Sequence, residues 1–204
     1  ENKKSIFKNV VANVDLTGDL NQHKVSINNT TFDATAIKGN VGFVKSEDKN
    51  VAIADLELSK IILDRYIDVT DKSAKNPTLK DKFVYQMNLF PWNKDWTIEA
   101  NVSIGNSVYN NIPLEGINLN FSNTDDNLKV NKLAINNIAG TYLDLVFDAN
   151  NIRTAPNFNE LSFNVKSSDL PLFASTVGID LGSKKLFNRK LFASQGVLTG
   201  SFDD

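Results

Sequence analysis

The chain contains no cysteine, one histidine and one methionine in 204 residues. The missing thiol excludes disulfides, thiolate metal sites and a cysteine nucleophile. It leaves the compartment open, because both reducing and oxidising spaces accommodate cysteine-free chains. No window holds the roughly eighteen consecutive apolar residues that a spanning helix requires. The opening ENKKSIFKN has no secretory apolar core, and its Glu1 fits a mature protein or an excised fragment. A surplus of one charge is also absent: 22 basic residues stand against 24 acidic ones, scattered without a basic stripe. Nucleic acid is therefore not an expected partner.

Catalytic patterns are missing as well. Gly-x-Ser-x-Gly does not occur, no Ser-His-Asp set stands out, and no glycine-rich phosphate loop follows a strand. His23, in LNQHK, is expected as a surface residue. Asp125 and Asp126 lack the spacing of a calcium loop and are expected to form a turn. The residues thus give no catalytic group, no metal ligand set and no cofactor, and no enzymatic activity is expected.

What the chain does have is alternation. With 41% hydrophobic residues it can bury a core. From Trp96 to Ala149 the apolar residues recur with period two: Ile98, Ala100, Val102 and Ile104, then Leu119 and Phe121, then Leu143, Leu145 and Phe147. One face of these strands is oily and the other wet. Further strands are expected over Val10 to Leu20, Val25 to Ile27, Phe32 to Ile37, Val41 to Val44 and Val51 to Leu58. The apolar parity slips between Ile53 and Leu56, and between Val130 and Leu133, where a bulge, a bend or a strand end is expected. IGNSVYNNIP and SNTDDN are expected turns, suiting antiparallel neighbours better than helical crossovers.

At Ser59 the period changes. Leu58, Ile61, Ile62, Arg65, Tyr66 and Val69 fall at helical spacing, which predicts a short amphipathic helix capped by Ser59 and running to Asp68. Residues 69–81 contain Pro77 and no period, and are expected as a loop. A second helix is predicted in SSDLPLFASTVG, with Asp169 as cap, Pro171 in the first turn and Gly178 at the end. LFASQGVLTGSF should form a pair of short β runs, and the aromatic group Phe90, Trp92 and Trp96 a core corner or strand end. Strand followed by short helix occurs twice, giving two weak sub-repeats, 1–68 and 82–204, joined by loop 69–81 within one module of 1–204. The expected fold is mainly β: an antiparallel, strongly curved sheet or groove, or a sandwich-like pair of sheets, with two short amphipathic helices.

Three segments carry a family resemblance. LELSKIILDRYI resembles a strand entering a short helix, WTIEANVSIGNSVYNNIPLEGINLNFSNTDDNLKVNKLAINNIAGTYLDLVFDA resembles a hallmark strand block, and FNVKSSDLPLFASTVGI followed by LFASQGVLTGSF resembles a closing segment. In order and kind they are similar to the AsmA family of bacterial envelope proteins, grouped with TamB and with lipid-transfer proteins built on β-grooves. The chain departs from that pattern in carrying Ala139-Gly140 near a position that is usually Gly-Gly, and in lacking an N-terminal anchor. The resemblance implies an internal fragment of a longer periplasmic protein, tethered by that anchor to the inner membrane of a Gram-negative cell. It also implies a role in outer-membrane biogenesis and homeostasis, with phospholipid acyl chains held or conducted in an apolar groove. The groove face would be Ile98, Ala100, Val102, Ile104, Leu119, Phe121, Leu143, Leu145 and Phe147. Alternation alone fits a second possibility equally well, a structural or adhesive β-sandwich with no ligand.

Overall fold

A computed structural model describes residues 10–33, 35–45, 49–62, 79–89, 96–109, 111–177, 179 and 191–201. Its strands are β1 (Val10–Val11), β2 (Val14–Gly18), β3 (Gln22–Phe32), β4 (Thr35–Lys45), β5 (Asn50–Ile62), β6 (Trp96–Tyr109), β7 (Ile112–Thr124), β8 (Asn127–Ile138), β9 (Thr141–Asn150), β10 (Asn157–Ser167) and β11 (Phe192–Ser201). The helices are α1 (Leu79–Leu89), between β5 and β6, and α2 (Leu170–Val177), between β10 and β11. The protein is mainly β.

All the described strands belong to one sheet, and from β3 to β11 each lies beside its neighbour in sequence. β1 and β2 share the far side of β3, as two pieces of one broken edge strand. The sheet does not close on itself, and among the described strands β1 with β2 and β11 are its two edges. Its pairings are antiparallel except for β5 with β6, where Asn50 to Ile62 runs parallel to Trp96 to Val108. A parallel pair needs a long crossover, and this one contains α1; the sequence reading expected antiparallel neighbours and did not include this parallel pair.

Several sequence expectations change. Phe32 to Ile37 is split between two strands: β3 ends at Phe32, the chain turns at Asp33, which takes a left-handed φ of 47°, and β4 runs from Thr35 through Ile37. Most of IGNSVYNNIP is strand, since β6 continues to Tyr109 and β7 resumes at Ile112. LFASQGVLTGSF yields one continuous strand, β11. Ile53 marks no bulge: β4 and β5 pair without a shift from Ile37↔Leu58 to Lys45↔Asn50, and Ile53 is simply exposed on the polar face. At the other slip a bulge does occur. One extra residue in β8 separates Val130, opposite Phe121, from Lys132, opposite Asn120.

The helix predicted from Ser59 is overturned over its first turn. β5 runs on to Ile62, and Ser59 accepts a hydrogen bond from the Ala36 N–H at 2.9 Å instead of capping a helix; residues 63–68 lie outside the described residues. Of the loop expected over 69–81, residues 79–81 instead open α1, and residues 69–78 lie outside the described residues. Phe90, Trp92 and Gly178 also fall outside the described residues, whereas Trp96 meets the Phe43 ring edge-on at 5.9 Å.

The second helix forms as the sequence indicates. Asp169 accepts from the Leu172 N–H at 3.1 Å, satisfying one of the amides that a helix start leaves unpaired, and Pro171 occupies the first turn, where no donor is needed. The turn between β8 and β9 anchors it: Gly140 O accepts from both the N–H and the Oγ of Ser168 at 2.9 Å. Ala139 and Gly140, at φ 51° and 75°, supply the left-handed pair that a two-residue hairpin turn requires.

Glycine controls how closely strands approach at Gly39. Its φ is +137°, and a Cβ there would collide with the Asp55 carbonyl oxygen of β5. At Gly42, on the same strand, a Cβ would meet nothing nearer than 3.9 Å. Gly39→Ala should therefore lower the unfolding free energy by about 2 kcal/mol or more. Gly42→Ala should change it by less than about 0.5 kcal/mol, and urea denaturation of the two variants measures the contrast.

Candidate functional site

Directly opposed residues in a sheet share a face, so the register shows what lies together. One row crosses the sheet as Ile27, Gly39, Leu56, Val102, Leu119, Leu133, Leu145 and Phe163. The row beside it contains Val41, Ala54, Ala100, Phe121, Val130 and Phe147, and a third contains Ile37, Leu58, Ile104, Ile117, Ile135 and Leu143. Ile98 lies on the same side, opposite Ala52. The sequence-predicted face of Ile98, Ala100, Val102, Ile104, Leu119, Phe121, Leu143, Leu145 and Phe147 is thus brought together on one side. It extends further than the sequence reading took it, onto Val25, Ile27, Val41, Ala54, Leu56 and Leu58. Their alternation was visible; what was hidden was that β5 pairs with β6, which joins the two halves of the face.

Cover over this face is uneven. At one end, Phe83 and Met87 of α1 pack against a cluster of Leu128, Val130, Ala149 and Ile152, with Leu119, Phe121 and Phe147 around it. The Phe83 and Phe147 rings both approach Phe158 edge-on, at 6.1 and 5.9 Å. The β9–β10 connection closes this end: Ile152 is fully buried, and the Arg153 guanidinium pairs with Asp126 at 3.0 Å. Asn88 of α1 donates to the Arg153 carbonyl at 3.0 Å. At the other end, Leu170 and Phe173 of α2 join Leu114, Ile117 and Ile138, with Ile104 and Ile135 beside them. Leu133 touches both clusters.

Over β3, β4 and β5 the situation differs. Every buried apolar residue among the described residues lies between Ala100 and Ala174. Val25, Ile27, Val41, Ala54, Leu56 and Leu58 are only half-buried, and no described helix packs on them. Toward the β2 edge, Val14 and Leu16 are exposed.

The opposite face is polar and hydrogen-bonded across the strands. Ser26 donates to Asn40 at 3.0 Å, Asn101 to Asp55 at 3.1 Å and Asn131 to Asn120 at 2.9 Å, all along one transverse line. Lys38 and Glu57 form an exposed ion pair at 2.9 Å, worth little in stability. No buried side-chain nitrogen or oxygen lacks a hydrogen-bond partner among the described residues.

A shallow, open depression lies beside the β8–β9 turn, lined by Asn137, Gly140, Tyr142, Lys166, Ser168 and Phe192. The Tyr142 hydroxyl donates to Asp144 at 3.2 Å; desolvation first, and the Asp144 charge second, push its pKa up. The Asp19 carboxyl is held below its ordinary value by the N–H groups of Asn21 and Gln22. His23 is exposed, on β3 and not in a turn. Among the described residues no cluster of three or more His, Asp or Glu is placed to hold a metal, and no helix is long and apolar enough to cross a membrane. No protein-family model, no curated protein and no solved structure matches the chain.

The uneven cover has a direct energetic signature. Leu114→Ala, at a side chain only 2% exposed, should destabilise by about 2–5 kcal/mol, the range for a cavity in a packed core. Leu56→Ala should cost less than about half as much, because less surface leaves water there. Paired chemical denaturation curves check the difference.

Proposed function

We propose that this chain is a lipid-binding module of an AsmA-like periplasmic protein, which holds or conducts phospholipid acyl chains in outer-membrane biogenesis and homeostasis. The observation that carries the reading is the half-buried apolar surface of β3, β4, β5 and β6, continuous by register with a packed core but without a described helix over it. Acyl chains need no specific polar partner. Each methylene removed from water contributes about 0.8 kcal/mol, so a chain of about a dozen carbons lying along these rows is held by contact area alone. Headgroups stay in water beyond the strand ends, and the hydrogen-bonded polar face remains solvated. The helices α1 and α2 fix the ends of the covered half and leave the other half to ligand. Curvature of the sheet around the acyl chains, giving a groove, belongs to the same proposal.

A ligand-free sandwich would need a second sheet against the apolar face, whereas all described strands belong to one sheet.

The test is uptake of a fluorescent phospholipid by delipidated protein, with native mass spectrometry to count bound lipid. Leu56→Asp, which sets a carboxylate against the acyl chain, should weaken uptake at least about tenfold, equivalent to 1.4 kcal/mol. Asn118→Asp, on the polar face, preserves an acceptor for the Ser103 hydroxyl and should leave uptake unchanged. Leu56 is a better probe than Leu119, which packs against the buried cluster under α1 and would report on folding. Protein that takes up no phospholipid, or equal losses in the two variants, would overturn the proposal.

A further inference from the structure

The apolar surface of β4, β5 and β6 ends differently at its two sides. On this face no charged residue stands on the three strands from Phe43, Ala52 and Ile98 to Ile37, Leu58 and Ile104. That stretch is about 20 Å long. A bilayer core of about 30 Å holds two acyl layers, so one acyl chain fits within the stretch. Past Ile37 and Leu58, Ile61 is half-buried on this face and its neighbour Lys60 is exposed on the other, so no described cation adjoins the apolar surface there. Past Phe43 the same alternation brings polar donors. Lys45, Asn50 and Trp96 stand two residues from Phe43, Ala52 and Ile98 and therefore share their face. Trp96 meets the Phe43 ring edge-on there, and His23 lies directly opposite Phe43.

We propose that this end holds the phosphate of a bound lipid, with the Lys45 ammonium as its cation. The inference rests on lipid binding by this surface and adds a headgroup preference to it. Lys45 and Asn50 are opposed on neighbouring strands, with His23 and Trp96 one strand further to either side. Their donors spread over about 14 Å, which suits a phosphate flanked by ester carbonyls better than the single carboxylate of a fatty acid. Charge favours the same occupant. Among the described residues Lys45 forms no ion pair, while the acids of this end are engaged: Asp19 accepts from the N–H groups of Asn21 and Gln22, Asp125 pairs with Lys49 at 2.7 Å and Asp126 with Arg153 at 3.0 Å. A lysine ammonium binds phosphate as a point charge. Lys45 is exposed, so the headgroup keeps its contact with solvent while the acyl chain leaves water.

The test offers the delipidated 204-residue chain an equimolar mixture of phosphatidic acid and diacylglycerol with identical acyl chains, and reads the bound ratio by native mass spectrometry. Phosphatidic acid should be preferred about threefold to fivefold, the scale of one exposed ion pair. Lys45→Glu should abolish or reverse that preference. Lys24→Glu makes the same charge change on the polar face, where Lys24 lies opposite Gly42, and should leave the ratio unchanged. Millimolar inorganic phosphate should displace neither lipid, because the acyl chains supply most of the affinity. Equal binding of the two lipids, equal effects of the two substitutions, or displacement by inorganic phosphate would overturn this inference and leave lipid binding standing. Uptake of neither lipid would instead overturn lipid binding itself, and this inference with it.

Discussion

Backbone pairing between successive strands is the constraint on which everything else in this molecule depends. Side chains alternate from face to face, so a shift of one residue in any pairing would turn a whole strand over and put its apolar set into water. One apolar row persists from β3 to β10 and two more from β4 to β9, because such shifts are compensated. The extra residue in β8 between Val130 and Lys132 is one example. Without it Val130 and Leu133, three positions apart, would face opposite ways; with it both join the same core. The transverse hydrogen bonds among Ser26, Asn40, Asp55, Asn101, Asn120 and Asn131 contribute on the polar face, since each needs its partner in register.

A second irregularity crosses several strands together. In β7, Leu114 and Ile117 share one buried cluster with Gly116 between them at φ +60°. In β8, Ile135 and Ile138 belong to that cluster too. In β6, Ile104 packs against the cluster, Gly105 and Asn106 are exposed, and Ser107 is buried. In β5, Leu58 and Ile61 are half-buried around the exposed Ser59 and Lys60. These positions are matched by register, Leu58 with Ile104, Ile104 with Ile117 and Ile117 with Ile135. The strands change phase together, along one band.

That band explains where sequence reasoning succeeded and where it failed. Alternation is a local property, so the β character, most strands and the shared face of β6, β7 and β9 were legible. The Asp169 cap and Pro171 were legible for the same reason, because a helix start is written in a few adjacent residues. Leu58, Ile61 and Ile62 were misread because a three-residue spacing is the mark of a helix when viewed in one strand alone. Only the neighbours, making the same step, show it to be a strand changing phase. The parallel pairing of β5 with β6 is likewise non-local, and without it the extension of the face onto Leu56 and Leu58 was invisible. α1 was missed because the contacts described for it, Phe83 and Met87 against the buried cluster, are a single pair of positions and no clear stripe.

The division of the apolar face follows from chain economy. Two short helices and one connection, with Ile152 at its centre, dry the half from β7 to β10, and this half contains nearly all the fully buried side chains. The half from β3 to β5 shares the registers but, among the described residues, has no such cover, so the stability described for it rests on strand pairing and on the covered half beside it.

The phase band also bears on how sequences of this architecture should be aligned. On one side of it even-numbered residues of β6 face the core, as Ile104 does, and on the other side odd-numbered ones do, as Ser107 does. A one-residue insertion or deletion elsewhere in the strand inverts the meaning of every position beyond it. At Gly105 and Asn106 the same gap falls where the backbone already absorbs a change of parity. Related chains should therefore be compared in two separately phased blocks per strand, with length differences placed at the band, since a gap set elsewhere equates residues from opposite faces.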